Sequence, residues 1–195
     1  MKKIMFNDKY GLTQAVLSGK KTMTRRLIKE NFESVRCMNV NYEDHWHGEL
    51  DGETYELLPK YQVGEIVAVA QAYKHIVYNH YFQEQCLANE TDAVLTRFDA
   101  GWDNKMFVKS YYMPHHIRIT DIKIERLQDI SEENCLKEGV FQSSWNRFYK
   151  YTFTHSKKNY HTEKEAFAVL IDKVSGKGTW ERNPWVFVYS FQLID

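Results

Sequence analysis

Lys21 and Thr24 stand three residues apart in Gly19-Lys20-Lys21-Thr22-Met23-Thr24-Arg25-Arg26, an octet carrying four cations and two threonines. An amine near a hydroxyl has the makings of a base and a nucleophile, and the cations suit an anion or a nucleotide. The spacing constrains the backbone. In a strand, side chains three apart point to opposite faces; in a helical or 3₁₀ turn, i and i+3 share a face. Joint action therefore predicts a turn across Lys21–Thr24, and a solvated basic loop is the alternative reading. A phosphate loop is excluded, because Gln14 stands where its first glycine should precede Gly19-Lys20 and Ile171 where it should precede Gly176-Lys177.

The octet needs something to hold it. Asp8 is placed to cap a helix, Leu12, Ala15 and Val16 give that helix an apolar face at i, i+3, i+4, and Gly19 suits a left-handed stop. Ahead of it, Ile4-Met5-Phe6 reads as a first strand. Tyr61–Glu65 reads as a turn into the strand Ile66–Ala70, apolar on both faces as in a covered sheet or barrel. Met113-Pro114 breaks the chain before a long strand in which Ile117 and Ile119 alternate, then Ile122 and Ile124 in shifted phase, so a bulge is expected at Thr120-Asp121. Ser131 is an N-cap for a short helix with Glu132 and Glu133 in its first turn, ending before Gly139. Ala166, Phe167, Val169 and Leu170 mark another helix. Trp185, Phe187, Tyr189, Phe191 and Leu193 share one face of a last strand. There is no regular βαβ alternation, so the expected fold class is α+β: a small, mostly antiparallel β-barrel with flanking helices. Residues 1–195 form one domain, with insertions at 28–60 (with little core), 71–104 (aromatic and irregular) and 142–165.

Composition narrows the function. The 195 residues hold 26 basic and 26 acidic side chains. A protein that coats nucleic acid by charge alone is basic, so any such contact here is local. Cys37, Cys86 and Cys135 are far apart, odd in number and free of any CxxC pair, which points to a reducing cytoplasm and to ordinary buried thiols. No signal peptide or membrane-spanning run is present, so no membrane partner is expected. His45 and His47 alternate near Asp44 and Glu49, but no second ligand pair at zinc spacing follows; no metal or cofactor is expected.

Four blocks together resemble the ASCH family of the PUA-like superfamily, most of all its longer phage and prophage members. They are Gly19-x-Lys21-Thr22-x-Thr24-Arg25-Arg26; Tyr61-x-Val63-Gly64-Glu65 with its strand; Met113-Pro114 through Arg118-Ile119 and Glu125–Glu133 to Glu138-Gly139-Val140; and Asn183-Pro184-Trp185-Val186 with the last strand. The resemblance implies a PUA-like barrel beside a cleft. Some small bacterial members are amidohydrolases that deacetylate N4-acetylcytidine with a lysine, a threonine and a glutamate, which fall by motif on Lys21, Thr24 and Glu138. Other members are linked to RNA cleavage, and the family was first proposed as RNA-binding. Where the family often has Arg-Glu and an aromatic after the second block's strand, this chain has Ala70, Gln71 and Tyr73. Binding residues expected from the resemblance and the charges are Lys20, Arg25, Arg26, Gln71, Tyr73, Asn183 and Trp185, the last by stacking on a base. The ligand expected is RNA or a nucleoside.

The chemistry is coherent on these residues. Thr24 supplies a nucleophilic hydroxyl, Lys21 acts as base if desolvation or the neighbouring arginines lower its pKa, and Glu138, at a helix C-terminus where the macrodipole opposes a carboxylate, protonates the leaving amine. A non-catalytic RNA-binding module would use the same cleft with Lys20, Lys21, Arg25 and Arg26 on phosphates, and would need only an open basic groove.

Overall fold

The computed structural model describes residues 1–40, 43–76, 100–143, 148 and 150–195. Among them the chain is α+β and mostly antiparallel. Five strands form one sheet in the order β1 (Lys3–Ile4), β6 (Ile66–Val69), β7 (His116–Arg126), β10 (Trp185–Leu193) and β2 (Met23–Leu27). Only the β1–β6 pair in this sheet is parallel. The central β7–β10 ladder runs from Trp185↔Arg126 to Leu193↔Ile117 and shifts register between Ser190 and Phe191, leaving Thr120 as the extra residue. The bulge is thus where the change of isoleucine phase requires it. It keeps Ile117, Ile119, Ile122 and Ile124 on the same face as Phe187, Tyr189, Phe191 and Leu193.

Cross-strand pairing carries that face outward. Val67 pairs with Ile117, Ile4 with Val69, Arg26 with Phe187 and Thr24 with Tyr189. Ile4, Val67, Ile117 and Ile119 are fully buried here. The edges, β1 and β2, share no ladder among the described residues, so the sheet is not closed by backbone pairing. A side chain of β2 reaches the segment just after β1: Arg26 Nη2 donates to the Met5 backbone carbonyl at 2.7 Å.

The other face of β10 carries Val186 and Val188, both fully buried, and is covered by helices. Helix α3 (Glu132–Lys137) is capped by Ser131, whose Oγ accepts from Asn134 N at 3.2 Å. Helix α4 (Glu163–Ser175) is capped by Thr162 and buries Ala166, Phe167, Leu170 and Ile171 along one side. Each such cap contributes about 1 kcal/mol.

Several expectations need correction. Asp8 opens a 3₁₀ turn, Asp8–Tyr10, and Gly11, at φ 64°, precedes helix α1 (Leu12–Leu17) as its N-cap. Asp8 instead takes hydrogen bonds from Thr13 Oγ1 and Lys105 Nζ. Residues 28–60 are not poor in core. They form the antiparallel meander β3 (Ser34–Val40), β4 (Glu43–Leu50), β5 (Glu53–Leu57). Phe32, Trp46 and Leu57 from this region join the main core, with Trp46 edge-on to Phe187 at 6.0 Å. Within 142–165, β9 (Tyr151–Phe153) pairs with β8 (Val140–Gln142) and buries Phe153. Of 71–104, a short helix α2 (Tyr73–Ile76) is described, whereas residues 77–99, with Tyr78, Tyr81, Phe82, Cys86 and Phe98, lie outside the described residues.

Candidate active site

The octet is anchored at both ends. Lys20 N and Lys21 N both donate to the Ala15 carbonyl at 2.9 Å, so the chain leaves α1 in one direction, with Gly19 at φ 70° making the turn. Thr22 N then donates to the carbonyl of Lys137, the last residue of α3, at 3.1 Å. That bond joins the octet to the helix that ends on Glu138. Gly139 follows at φ 109°, where an added Cβ would lie 2.8 Å from Leu12 Cδ2. That φ calls for a glycine, and an added Cβ would also make Leu12 shift.

These anchors bring Lys21 and Glu138 together across 117 residues of sequence. Lys21 Nζ donates to Glu138 Oε2 at 2.6 Å, to the Glu138 carbonyl at 2.8 Å and to the Met23 carbonyl at 2.7 Å. Glu138 Oε1 accepts from Arg25 Nη1 at 2.9 Å, and Arg25 also holds Glu125 through Nε and Nη2. Glu125 in turn meets Lys123 at 2.6 Å. The result is a chain of alternating charge, Lys21–Glu138–Arg25–Glu125–Lys123. Its first three side chains are at least nine-tenths buried. Each buried charge has an opposite partner, which burial at this depth demands.

Burial pushes the Lys21 ammonium below the ordinary lysine range. Glu138 pulls the other way, and Arg26 and Arg25 push it further down. Burial alone would raise Glu125, but hydrogen bonds from Lys123 and Arg25 hold its carboxyl below the usual value. Glu138 is the C-cap of a six-residue helix and faces two cations at hydrogen-bond distance. Those cations, not the weak dipole of so short a helix, dominate its surroundings.

Lys21, Thr24, Arg25, Arg26 and Glu138 all line one cleft of about 190 Å³. Phe6, from beyond β1, and Phe167, Leu170 and Ile171, from α4, form its apolar walls. The cleft therefore lies at the seam where the sheet's two edges approach. Thr24 is 5% exposed, and no protein group among the described residues hydrogen-bonds its hydroxyl. The turn expected across Lys21–Thr24 does not form, because Thr24 lies in strand β2. Nor is there a direct Lys21–Thr24 hydrogen bond, since the three donors of Lys21 go to Glu138 and Met23. Both residues line the cleft all the same, Thr24 from strand β2 and Lys21 from the segment that leads into it.

The expected binding residues divide. Arg26 is in the cleft, its guanidinium 5.7 Å over the Phe6 ring. Arg25 is there too, but two carboxylates engage it, so it braces the site and is not open to a phosphate. Lys20 is exposed and lines a separate groove beside Phe141. Tyr73 packs in a second core cluster with Met113 and Val108. Asn183 Oδ1 caps Gln128 N at 2.8 Å, and Trp185 donates from Nε1 to the Phe32 carbonyl under Arg126, 4.3 Å from its ring. Neither Asn183 nor Trp185 lines the cleft, so packing and capping account for them. Gln71 is buried, and its Oε1 has no hydrogen-bond partner among the described residues. Sequence reasoning missed Glu125, whose acidic side chain in a strand gave no sign that Arg25 lay across β10 from it, and the α4 wall, visible only as an apolar period. Cys135 is buried, which raises its thiol to about 12 and leaves it unreactive at neutral pH. Among the described residues no group of three potential ligands is placed to hold a metal.

No family model matches the chain, and no curated protein or solved structure matches it.

Proposed function

We propose that this protein is an ASCH-type amidohydrolase with a PUA-like fold, acting on an acylated nucleoside of the N4-acetylcytidine type or on RNA that carries one. The reaction class comes from the sequence resemblance. The observation that carries the reading is the convergence of Lys21, Thr24 and Glu138 on a single small cleft, with no hydrogen bond to the Thr24 hydroxyl among the described residues. At about 190 Å³ the cleft is below the range of drug-sized pockets. It suits one heterocyclic base.

The steps balance on these residues. Lys21, lowered by burial, passes a proton to Glu138 along their hydrogen bond. Thr24 Oγ1 then bonds to the acyl carbon while Lys21 takes its proton. The C–N bond breaks as Glu138 protonates the amine that leaves. Water next adds to the acyl-threonine carbon, giving its proton to Glu138, and Lys21 returns a proton to Thr24 as the acid departs. Arg25 holds Glu138 in place throughout.

A second reading, a non-catalytic RNA-binding module, is favoured by one observation: all three donors of Lys21 are already satisfied. Turnover of N4-acetylcytidine against unmodified cytidine distinguishes the two. The expected result is deacetylation that falls about 10²–10⁴-fold in Lys21→Ala and Thr24→Ala and persists in part in Thr24→Ser. No turnover by a folded parent protein on any acylated nucleoside would leave the binding module as the better reading.

A further inference from the structure

Beside the cleft is a second groove of about 340 Å³ that shares Met5, Arg26 and Leu27 with it. Its floor is aromatic: Phe187 and Tyr189 of β10, with Tyr61 edge-on to Tyr189 at 5.3 Å. Leu58 stands on its rim 74% exposed, although Leu57 next to it is core. Arg26, Lys3 and Lys60 line it, and among the described residues no acidic one does. In a chain whose charges balance 26 to 26, an acid-free groove with three cations is a concentrated positive site.

The cations differ in availability. Lys3 Nζ is occupied by the carbonyls of Lys105, Met106 and Val108. Arg26 makes one hydrogen bond, to the Met5 carbonyl, and meets no carboxylate among the described residues. Lys60 is exposed, with its ammonium 5.5 Å over the Tyr61 ring and no carboxylate partner among the described residues. Two cations are therefore open to an anion above an apolar, aromatic floor.

Register links this groove to the reacting group. Thr24 pairs with Tyr189 and Arg26 with Phe187, so the four share one face of the sheet. Thr24 and Arg26 are two residues apart on one strand, about 6.7 Å, roughly the reach of one nucleotide step. We propose, resting on the reading above, that the groove holds the nucleotide adjoining the reacting one. Its phosphodiester lies between Arg26 and Lys60 and its base lies against Phe187 and Leu58. A single-stranded polynucleotide is then held more tightly than a free nucleoside. Stacking and cation contacts of this kind are how single strands are held without sequence preference.

Fluorescence anisotropy with labelled oligo(rC) and oligo(dC) hexamers, over a salt titration, tests this. One phosphodiester neutralised by the two cations predicts a log–log salt slope of about 0.7 in magnitude, smaller when Lys60 is lost. The expected result is binding of oligo(rC), with or without oligo(dC), weakened at least tenfold by Lys60→Glu and by Leu58→Asp. Lys60 and Leu58 are exposed, so thermal midpoints should match the parent; Lys60→Gln serves if Lys60→Glu does not fold. Binding of neither hexamer, or a slope unchanged in Lys60→Gln, overturns the proposal. The readout is separate from turnover. Loss of the groove's binding with nucleoside turnover intact refutes only this inference, and binding without any turnover refutes only the hydrolase.

Discussion

Removing the Glu138 carboxylate is the sharpest test of the buried charge chain. In Glu138→Gln the Lys21 ammonium keeps two carbonyl acceptors, Met23 O and Glu138 O, but loses its counter-charge. Arg25 loses the same charge and keeps Glu125. Before the change, two cations and two carboxylates balance within Lys21, Arg25, Glu138 and Glu125; afterwards one positive charge is uncompensated at a site where Lys21 is 2% exposed. Breaking such a buried pair from one side costs about 3–5 kcal/mol. Because Arg25 retains a partner, the lower end applies, about 3 kcal/mol, or a fall of about 6–12 °C in Tm for a domain of this size. The assay is urea and thermal unfolding of the parent, Glu138→Gln, Lys21→Met and the double variant. Lys21→Met combined with Glu138→Gln should recover part of the loss, because the uncompensated cation goes with it, giving a coupling energy above about 0.5 kcal/mol. A Glu138→Gln protein with the parent's midpoint, or strictly additive single effects, would refute the account of Lys21 and Glu138 as a coupled buried pair.

The depressed Glu125 carboxyl contributes stability that is complete above its ordinary value of 4.5 and is lost as pH falls through its lower folded-state value. Urea midpoints should therefore drop below about pH 4.5, and Glu125→Gln should flatten part of that decline; an identical pH profile in the variant would remove Glu125 from the explanation. Trp46→Ala should destabilise the whole domain by about 3–5 kcal/mol, because Trp46 is 8% exposed and packs on Phe187 of the main sheet. A loss under about 1 kcal/mol by chemical denaturation would mean that the meander is an appendage.

What the sequence determined by itself is local. Alternating apolar residues marked β7 and β10, and even the bulge, because a period of two can change phase only by adding a residue. Ser131 marked the start of α3, because a hydroxyl at that position satisfies an amide the helix leaves free. The motif resemblance singled out Lys21, Thr24 and Glu138, which line one cleft. Tertiary structure decided the relations among them. Whether Lys21 met Thr24 or Glu138 depended on Thr22 N binding the end of α3, a contact between segments more than 100 residues apart. Arg25 became a brace and Arg26 an open cation because adjacent residues of a strand face opposite sides, and only the packing says which side carries carboxylates. The meander looked peripheral because its polar residues outnumber its apolar ones, yet Phe32, Trp46 and Leu57 bury against the main sheet. Burial belongs to the partner surface as much as to the segment, and that surface is assembled from strands distant in sequence.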